Sequence, residues 1–188
     1  MNTMCKRSFV GTLTLALLTL ASPLFAAEKT EDQLIAELDS PKADVVTSAM
    51  LKIEKTYPTS TKAIPKIKTL LTDARQPVRR KAGRVLGALH AEVSEADIKA
   101  ITAMLKSADS REVMDALISL RGLKAQQTVP EILPLLKSPT PNVVRDACRT
   151  LAVLGTKDVI PSIEPLLNNP NAAVKKDAQD AIFALKNK

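Results

Sequence analysis

Aromatic residues, cysteine and histidine are all scarce in this chain of 188 residues. Only 2% of the residues are aromatic, none is tryptophan, and there are two cysteines and one histidine. So few aromatic side chains disfavour base-stacking platforms and aromatic-lined ligand pockets, and two cysteines exclude a disulfide scaffold. A single histidine, His90, removes most metal-binding and general-base schemes. Because 45% of the residues are hydrophobic, the chain can still build a core, which must be aliphatic.

Residues 1–26 have the organisation of a secretory signal peptide. Lys6 and Arg7 precede an uncharged stretch, residues 8–27, that ends in small residues around Ala26. We expect cleavage after Ala26 or Ala27, a periplasmic or secreted protein, and no stable membrane insertion of the mature chain. The alternative is a retained anchor, although glycine, proline and hydroxyl side chains dilute the hydrophobicity of a segment that barely spans a bilayer. Cleavage leaves Cys148 as the single thiol, and we expect it to be a small, half-buried apolar side chain.

An internal repeat is the main signal in the rest of the chain. One alanine recurs at intervals of 31 to 34 residues, and an aliphatic side chain follows each copy four residues later. The alanines are Ala49, Ala82, Ala116, Ala147 and Ala178. Positions that recur at four and seven residues share one stripe of a helix, so each unit is predicted to contain an amphipathic helix with alanine on its close-contact line.

A second aliphatic stripe precedes the first one in every unit and predicts a second helix. Leucine or isoleucine stands fifteen and eleven residues before each alanine, and polar turn residues, often followed by proline, separate the two stripes. Thr30 with Gln33, Ser94 with Asp97, and Thr128 with Glu131 have capping-box spacing at helix starts. Because a helix pair of about 32 residues cannot bury a core alone, the pairs must stack into an all-α solenoid of about five units.

This pattern resembles HEAT repeats, in particular the HEAT-like repeats named after phycobilisome lyases. The clearest matches are DARQPVRRKAGRVL, residues 73–86, and the tandem over residues 129–185, and the resemblance spans essentially residues 30–186. It implies a HEAT-like repeat domain over residues 28–188, with units at about 28–58, 59–93, 94–124, 125–155 and 156–188. It also implies first helices kinked at Pro134 and Pro165, second helices that line an inner surface, and an Asp-to-Arg ladder to which Asp73 and Arg79 fit.

Helical geometry identifies the side chains of the second helices that face away from the core. Positions two before, two after and five after each alanine point outward. In the middle units they include Arg80, Arg84, Met114, Ile118, Arg121, Arg145 and Arg149. The resemblance then implies a basic groove with an apolar centre, which would bind a protein with an acidic or partly apolar surface. The alternative is an ordinary solvated face, with Met114 and Ile118 in the core.

Charge and residue content favour a binding role over catalysis. The net charge is +7, and residues 59–93 carry eight basic and two acidic side chains, so an anionic partner is expected. Nucleic acid is not expected, because the mature chain has only Tyr57 and Phe183 for stacking and export removes it from most nucleic acid. We expect an exported, non-catalytic scaffold or adaptor without cofactor or metal.

An enzyme has to be weighed against this expectation, because HEAT-like repeats occur in bilin lyases and in a di-iron hydroxylase. The hydroxylase family uses His-Glu pairs, whereas His90 is followed by Ala91. The alternative function is therefore a degenerate member of a HEAT-like lyase or other enzyme family that binds a small molecule, and a deep pocket would favour it.

Overall fold

The computed structural model describes residues 28–188, and their regular structure is helical throughout, with no strand. The predicted signal peptide lies outside the described residues. Ten α-helices form five consecutive pairs, here called repeats 1 to 5. They are α1 (Glu31–Glu37), α2 (Ala43–Thr56), α3 (Ile64–Thr69), α4 (Gln76–Ala88), α5 (Glu95–Ala103), α6 (Ser110–Gly122), α7 (Val129–Ile132), α8 (Pro141–Leu154), α9 (Ile160–Ile163) and α10 (Ala172–Lys186). The predicted all-α solenoid of five helix pairs is confirmed.

Local sequence signals account for two of the three predicted capping boxes. The Thr30 and Ser94 hydroxyls accept the backbone N–H of Gln33 and Asp97, and both reciprocal bonds are present. The prediction for Thr128 is wrong, because its buried hydroxyl donates to the carbonyl of Ala125 instead. A 3₁₀ turn over Gln126–Thr128 precedes α7 and directs that hydroxyl back along the chain.

Prolines set the geometry of the last two first helices. In repeats 2 and 3 the first helix ends in a 3₁₀ turn of three residues, whereas in repeats 4 and 5 the turn is five residues long. Pro134 and Pro165 stand at the second position of the longer turns. Because proline has no N–H to donate to the carbonyl four residues earlier, the α-helix gives way to the 3₁₀ form one turn sooner.

The alanine column lies at the centre of the core. All five alanines are at most 1% exposed, and the side chains four residues later are buried as well. The first-helix residues fifteen before each alanine, Leu34, Ile67, Ile101, Ile132 and Ile163, are equally buried. The buried side chains form one aliphatic cluster that runs through all five repeats, so no repeat has a separate core.

The second helices form one layer and the first helices the other. Helices α2, α4, α6, α8 and α10 pack side by side in chain order, whereas neighbouring first helices touch less. The contact is more extensive between α4 and α6 and between α8 and α10 than between α2 and α4 or α6 and α8. The stack is therefore built from two tightly packed pairs of repeats, 2 with 3 and 4 with 5, which meet at the junction between repeats 3 and 4.

Glycine permits the close approach of α4 and α6. A Cβ atom on Gly122 would lie 2.6 Å from the carbonyl oxygen of Gly87, and one on Gly87 would lie 3.0 Å from the carbonyl oxygen of Ser119. Real Cβ atoms do not tolerate the first of these separations, so the contact requires a residue without a side chain at position 122.

Candidate functional site

The seven predicted contact residues lie on the side of the second-helix layer that faces away from the first helices, here called the second-helix face. All seven are at least partly exposed, and Arg84 and Arg149 are the most exposed of the arginines. Met114 packs against the edge of the core, whereas Ile118 is only partly covered. The structure therefore places Met114 partly in the core, between the two interpretations of that residue.

Four of the predicted contact arginines form two pairs, and each pair binds one buried aspartate of the next repeat. Asp115 accepts a hydrogen bond from Arg80 Nε at 2.7 Å and forms an ion pair with Arg84 Nη1 at 3.4 Å. Asp115 and, in the second such group, Asp177 each stand one residue before the alanine of their repeat, and both residues are buried. We call each two-arginine, one-aspartate group an arginine clamp, the first joining repeats 2 and 3.

The second arginine clamp repeats this arrangement between repeats 4 and 5. Asp177 accepts a hydrogen bond from Arg145 Nε at 2.7 Å and from Arg149 Nη2 at 3.1 Å. Each clamp sets two arginines against one aspartate, so it offsets part of the predicted positive charge and fastens neighbouring repeats together.

The junction between repeats 3 and 4 has no arginine clamp. The aspartate position is filled by Asp146, but the two arginine positions are filled by Met114 and Ile118. Asp146 pairs within its own helix with Arg149 Nη1 at 3.5 Å. Burial raises the pKa of Asp146, and the positive charges of Arg149, Arg121 and Arg145 only partly offset it. This junction is also one of the less extensive contacts between second helices.

A second row of polar contacts follows the loops between helices. The Asp73 carboxylate is held by Arg75, whose guanidinium also donates to the carbonyls of Ser40 and Pro41 in repeat 1. The expected side-chain pair between Asp73 and Arg79 is wrong. Arg79 donates to the backbone carbonyl of Asp73 and not to its carboxylate. The reason is that the Arg79 guanidinium points to repeat 3.

Glu112 of repeat 3 receives that guanidinium. Arg79 Nε lies 2.5 Å from Glu112 Oε1, and Ser107 and Gln76 donate to Glu112 Oε2. Burial alone would raise the pKa of Glu112, but these three donors outweigh it and lower the pKa below its usual value. Glu112 therefore stays charged although it is only 2% exposed and occupies a position that is valine in repeats 1, 2, 4 and 5.

The surroundings of Cys148 and His90 indicate that both side chains have structural roles. Cys148 is fully buried, not half-buried, because the next repeat covers it; burial, with the nearby charge of Asp177, raises the pKa of its thiol to about 12. His90 follows α4 with a left-handed backbone (φ 47°), and its Nδ1 donates to the carbonyl of Gly122 at 3.1 Å. His90 of repeat 2 therefore caps the C-terminal end of α6 in repeat 3. Among residues 28–188 no cluster of three or more metal-binding side chains occurs.

The first-helix layer carries shallow depressions that open to solvent. One of about 750 Å³ lies between repeats 3 and 4 and is lined by polar residues including Lys99, Thr102 and Glu131. Another of about 590 Å³ lies between repeats 4 and 5, where Pro130, Pro134, Pro161 and Pro165 line it. Composition alone does not predict the second depression, but its prolines recur at a spacing of 31 residues, and that spacing could have indicated it. None of the helices within residues 28–188 combines the length and the apolar character that crossing a bilayer requires.

Comparison with known proteins supports the fold. Residues 114–182 match the family model described as HEAT repeats. Among solved structures, the chain is similar to one in the complex of CpcE and CpcF of phycocyanin lyase from Nostoc sp. PCC7120, with 22% identity and a TM-score of 0.73 over 94% of this chain and 71% of that one.

Designed repeat proteins are similar as well. A designed armadillo repeat protein in complex with the peptide (KR)4 has 18% identity and a TM-score of 0.65, covering 81% of this chain and 80% of that one. No curated protein matches the chain significantly. At these identities the structural likeness shows the fold, and together with the family match it confirms the resemblance: residues 114–182 match HEAT repeats, and the five helix pairs of residues 28–188 form an α-solenoid similar to HEAT-like repeat structures.

Proposed function

We propose that the protein is an exported, non-catalytic adaptor that binds another protein through its second-helix face. The observation that carries the proposal is the pair of arginine clamps. They hold the partly exposed arginines of α4 and α8 in position through buried aspartates of α6 and α10, so this part of the face has a defined shape before a partner arrives. A preorganised surface loses little side-chain or loop entropy on binding. The designed armadillo repeat protein in complex with a peptide is a precedent for peptide binding by a similar fold.

Site-specific crosslinking in the producing cell tests the choice of face. A photoreactive amino acid is placed at Ile118 on the second-helix face, and a matched one at Lys99 in the first-helix layer of the same repeat. We expect a discrete crosslinked protein from position 118 and none from position 99. The reverse pattern would move the binding surface to the first helices.

Export is tested separately, because the two parts of the proposal can fail independently. Cell fractionation and mass determination of the N-terminus are expected to find the protein outside the cytoplasm, beginning at Ala27 or Glu28. A cytoplasmic protein that retains residues 1–26 would contradict export and leave the binding face untouched.

One observation favours a second candidate, the binding of a small molecule. The depression between repeats 3 and 4 has the volume of a ligand pocket, about 750 Å³. It is open to solvent, whereas ligand pockets enclose most of their ligand. A ligand-induced rise in the melting temperature that is abolished by Thr102→Trp, a substitution that fills the depression, would favour this candidate over the adaptor.

A further inference from the structure

Among the five arginines of the predicted contact residues, Arg121 is the one that no carboxylate in the described part of the chain holds. Arg80, Arg84, Arg145 and Arg149 all belong to arginine clamps. Arg121 makes neither a side-chain hydrogen bond nor an ion pair with any residue in 28–188. A partner that binds a clamp arginine must compete with a buried aspartate, whereas Arg121 offers its donors without displacing an internal acceptor.

Arg121 continues an apolar stripe. Met114, Ile118 and Arg121 stand at positions i, i+4 and i+7 of α6, so they share one side of the helix. Met114 rests on the core and Ile118 is partly exposed beside it. The stripe runs along the unclamped junction between repeats 3 and 4, midway between the two clamps.

The charges around Arg121 determine which sign of charge a ligand group should carry there. Arg121, Arg145 and Arg149 are all close enough to act on Asp146. Two of these three arginines also hold Asp177, so the three positive charges face two carboxylates and one remains uncompensated. A cationic side chain brought to this position would meet that excess, and a carboxylate would satisfy it.

We propose that the stripe Met114, Ile118 and Arg121 is the contact site for a protein segment that carries an aliphatic side chain next to a carboxylate. The aliphatic group covers Ile118 and Met114, and the carboxylate accepts the guanidinium N–H groups of Arg121. The inference rests on the proposed function and narrows it, since it assigns recognition to three of the seven contact residues and a fastening role to the other four.

Synthetic peptides test the chemistry of recognition. The probes are fluorescent peptides about fifteen residues long that carry two leucines and one glutamate at varied separation, with matched peptides in which lysine or glutamine replaces the glutamate. Fluorescence anisotropy measures their binding to the purified protein. We expect the glutamate peptides with the best separation to bind at least about tenfold more tightly than their lysine counterparts.

Variants of the protein locate the site. We expect Arg121→Glu to lower the affinity for the glutamate peptide about tenfold and Ile118→Ala to lower it about fivefold. Arg121→Lys should keep most of the affinity. Lys99→Glu is the control, because it changes the net charge equally in the same repeat but lies in the first-helix layer. Circular dichroism and the melting temperature of each variant show that the fold is kept.

The outcomes separate this inference from the proposed function. If Arg121→Glu and Lys99→Glu bind the peptides equally, or if lysine peptides bind as well as glutamate peptides, or if no peptide binds, the assignment of the stripe is wrong. The adaptor proposal survives those results as long as the crosslinker at position 118 still captures a protein. If that crosslinker captures no protein, the adaptor proposal is wrong, and the assignment of the stripe, which rests on it, is wrong as well.

Discussion

At the scale of single residues, the buried carboxylates of the arginine clamps are the side chains on which the junctions depend most. Replacing Asp177 by Asn removes the negative charge that Arg145 and Arg149 share and turns one of its two acceptor oxygens into a donor. Because both arginines are partly solvated, we expect Asp177→Asn to lower the free energy of unfolding by about 1 to 2 kcal/mol. Asp180→Asn is the matched control on the same helix, since its pair with Lys176 is exposed, and we expect less than about 0.5 kcal/mol. If urea denaturation shows that both variants lose the same free energy of unfolding, the clamp does not stabilise the junction.

Glu112 is expected to make stability depend on pH. Its pKa is lowered in the folded protein, so its contribution is fully present above the unfolded value of 4.5 and disappears as the pH falls through the folded value. Glu112→Gln should therefore be less stable by about 2 kcal/mol at pH 7, with a difference that shrinks below pH 4.5. Urea denaturation of both proteins from pH 7 to pH 3 measures this convergence, and a constant difference would contradict it.

Asp146 is expected to show the opposite sign. Burial raises its pKa, so its ionisation reduces stability as the pH rises from the unfolded value of 3.8 through the folded value. Asp146→Asn should therefore unfold at a higher urea concentration than the unmodified protein at pH 7, and the advantage should vanish in acid. A variant that is less stable at pH 7 would show that the pair with Arg149 outweighs desolvation.

The thiol of Cys148 is expected to be inert in the folded protein. It is fully buried and its pKa is raised to about 12, so almost no thiolate forms at neutral pH. Alkylation followed by mass spectrometry of the peptide that contains Cys148 should find modification only in denaturant. Rapid labelling under native conditions would mean that repeat 5 separates readily from repeat 4.

Some residue roles could be predicted from the sequence and others required three dimensions. The burial of the alanine column follows from helical periodicity, because a stripe at every fourth and seventh residue must face one neighbour. The clamps join side chains about 30 residues apart, and a pattern examined helix by helix does not pair them. The repetition of Asp115, Asp146 and Asp177 at intervals of 31 residues was the signal that could have revealed their shared position.

At the scale of helices, the contact between α4 and α6 depends on the absence of a side chain. Gly122→Ala would place a Cβ 2.6 Å from a backbone oxygen, so the helices must move apart, and we expect a loss of about 1 to 3 kcal/mol. Gly83→Ala is the control on α4, since its Cβ would meet the Ser119 hydroxyl at 3.0 Å and alanine favours the helix. We expect that variant to stay within about 1 kcal/mol of the parent in urea denaturation.

The elements themselves were largely predictable, whereas their internal geometry was less so. Two aliphatic stripes in every repeat, separated by a turn, determine the number and order of the helices. The shortness of α7 and α9 depends on where Pro134 and Pro165 interrupt the hydrogen bonds and how the chain continues in a 3₁₀ turn. That balance is decided by packing against α8 and α10, which periodicity does not describe.

At the scale of the whole molecule, the five repeats divide into two clamped pairs and one repeat at the N-terminal side. Repeats 2 and 3 share one clamp and repeats 4 and 5 the other. Because a solenoid is stabilised only by neighbour contacts, hydrogen exchange should protect each clamped pair as a unit. We expect Asp177→Asn to accelerate exchange in α10 and to leave α4 unchanged, as measured by mass spectrometry. Uniform acceleration along the chain would indicate a single cooperative unit.

The missing clamp at the midpoint has a mechanical consequence. Within repeats 2 to 5, two closely packed pairs meet at a less extensive contact, so we expect bending between the two pairs to concentrate at this joint. The stripe of Met114, Ile118 and Arg121 lies along that joint, and a ligand seated on it would touch the hinge itself. Binding at the stripe would then be coupled to the angle between the two clamped pairs, and a bound segment would change the curvature of the solenoid.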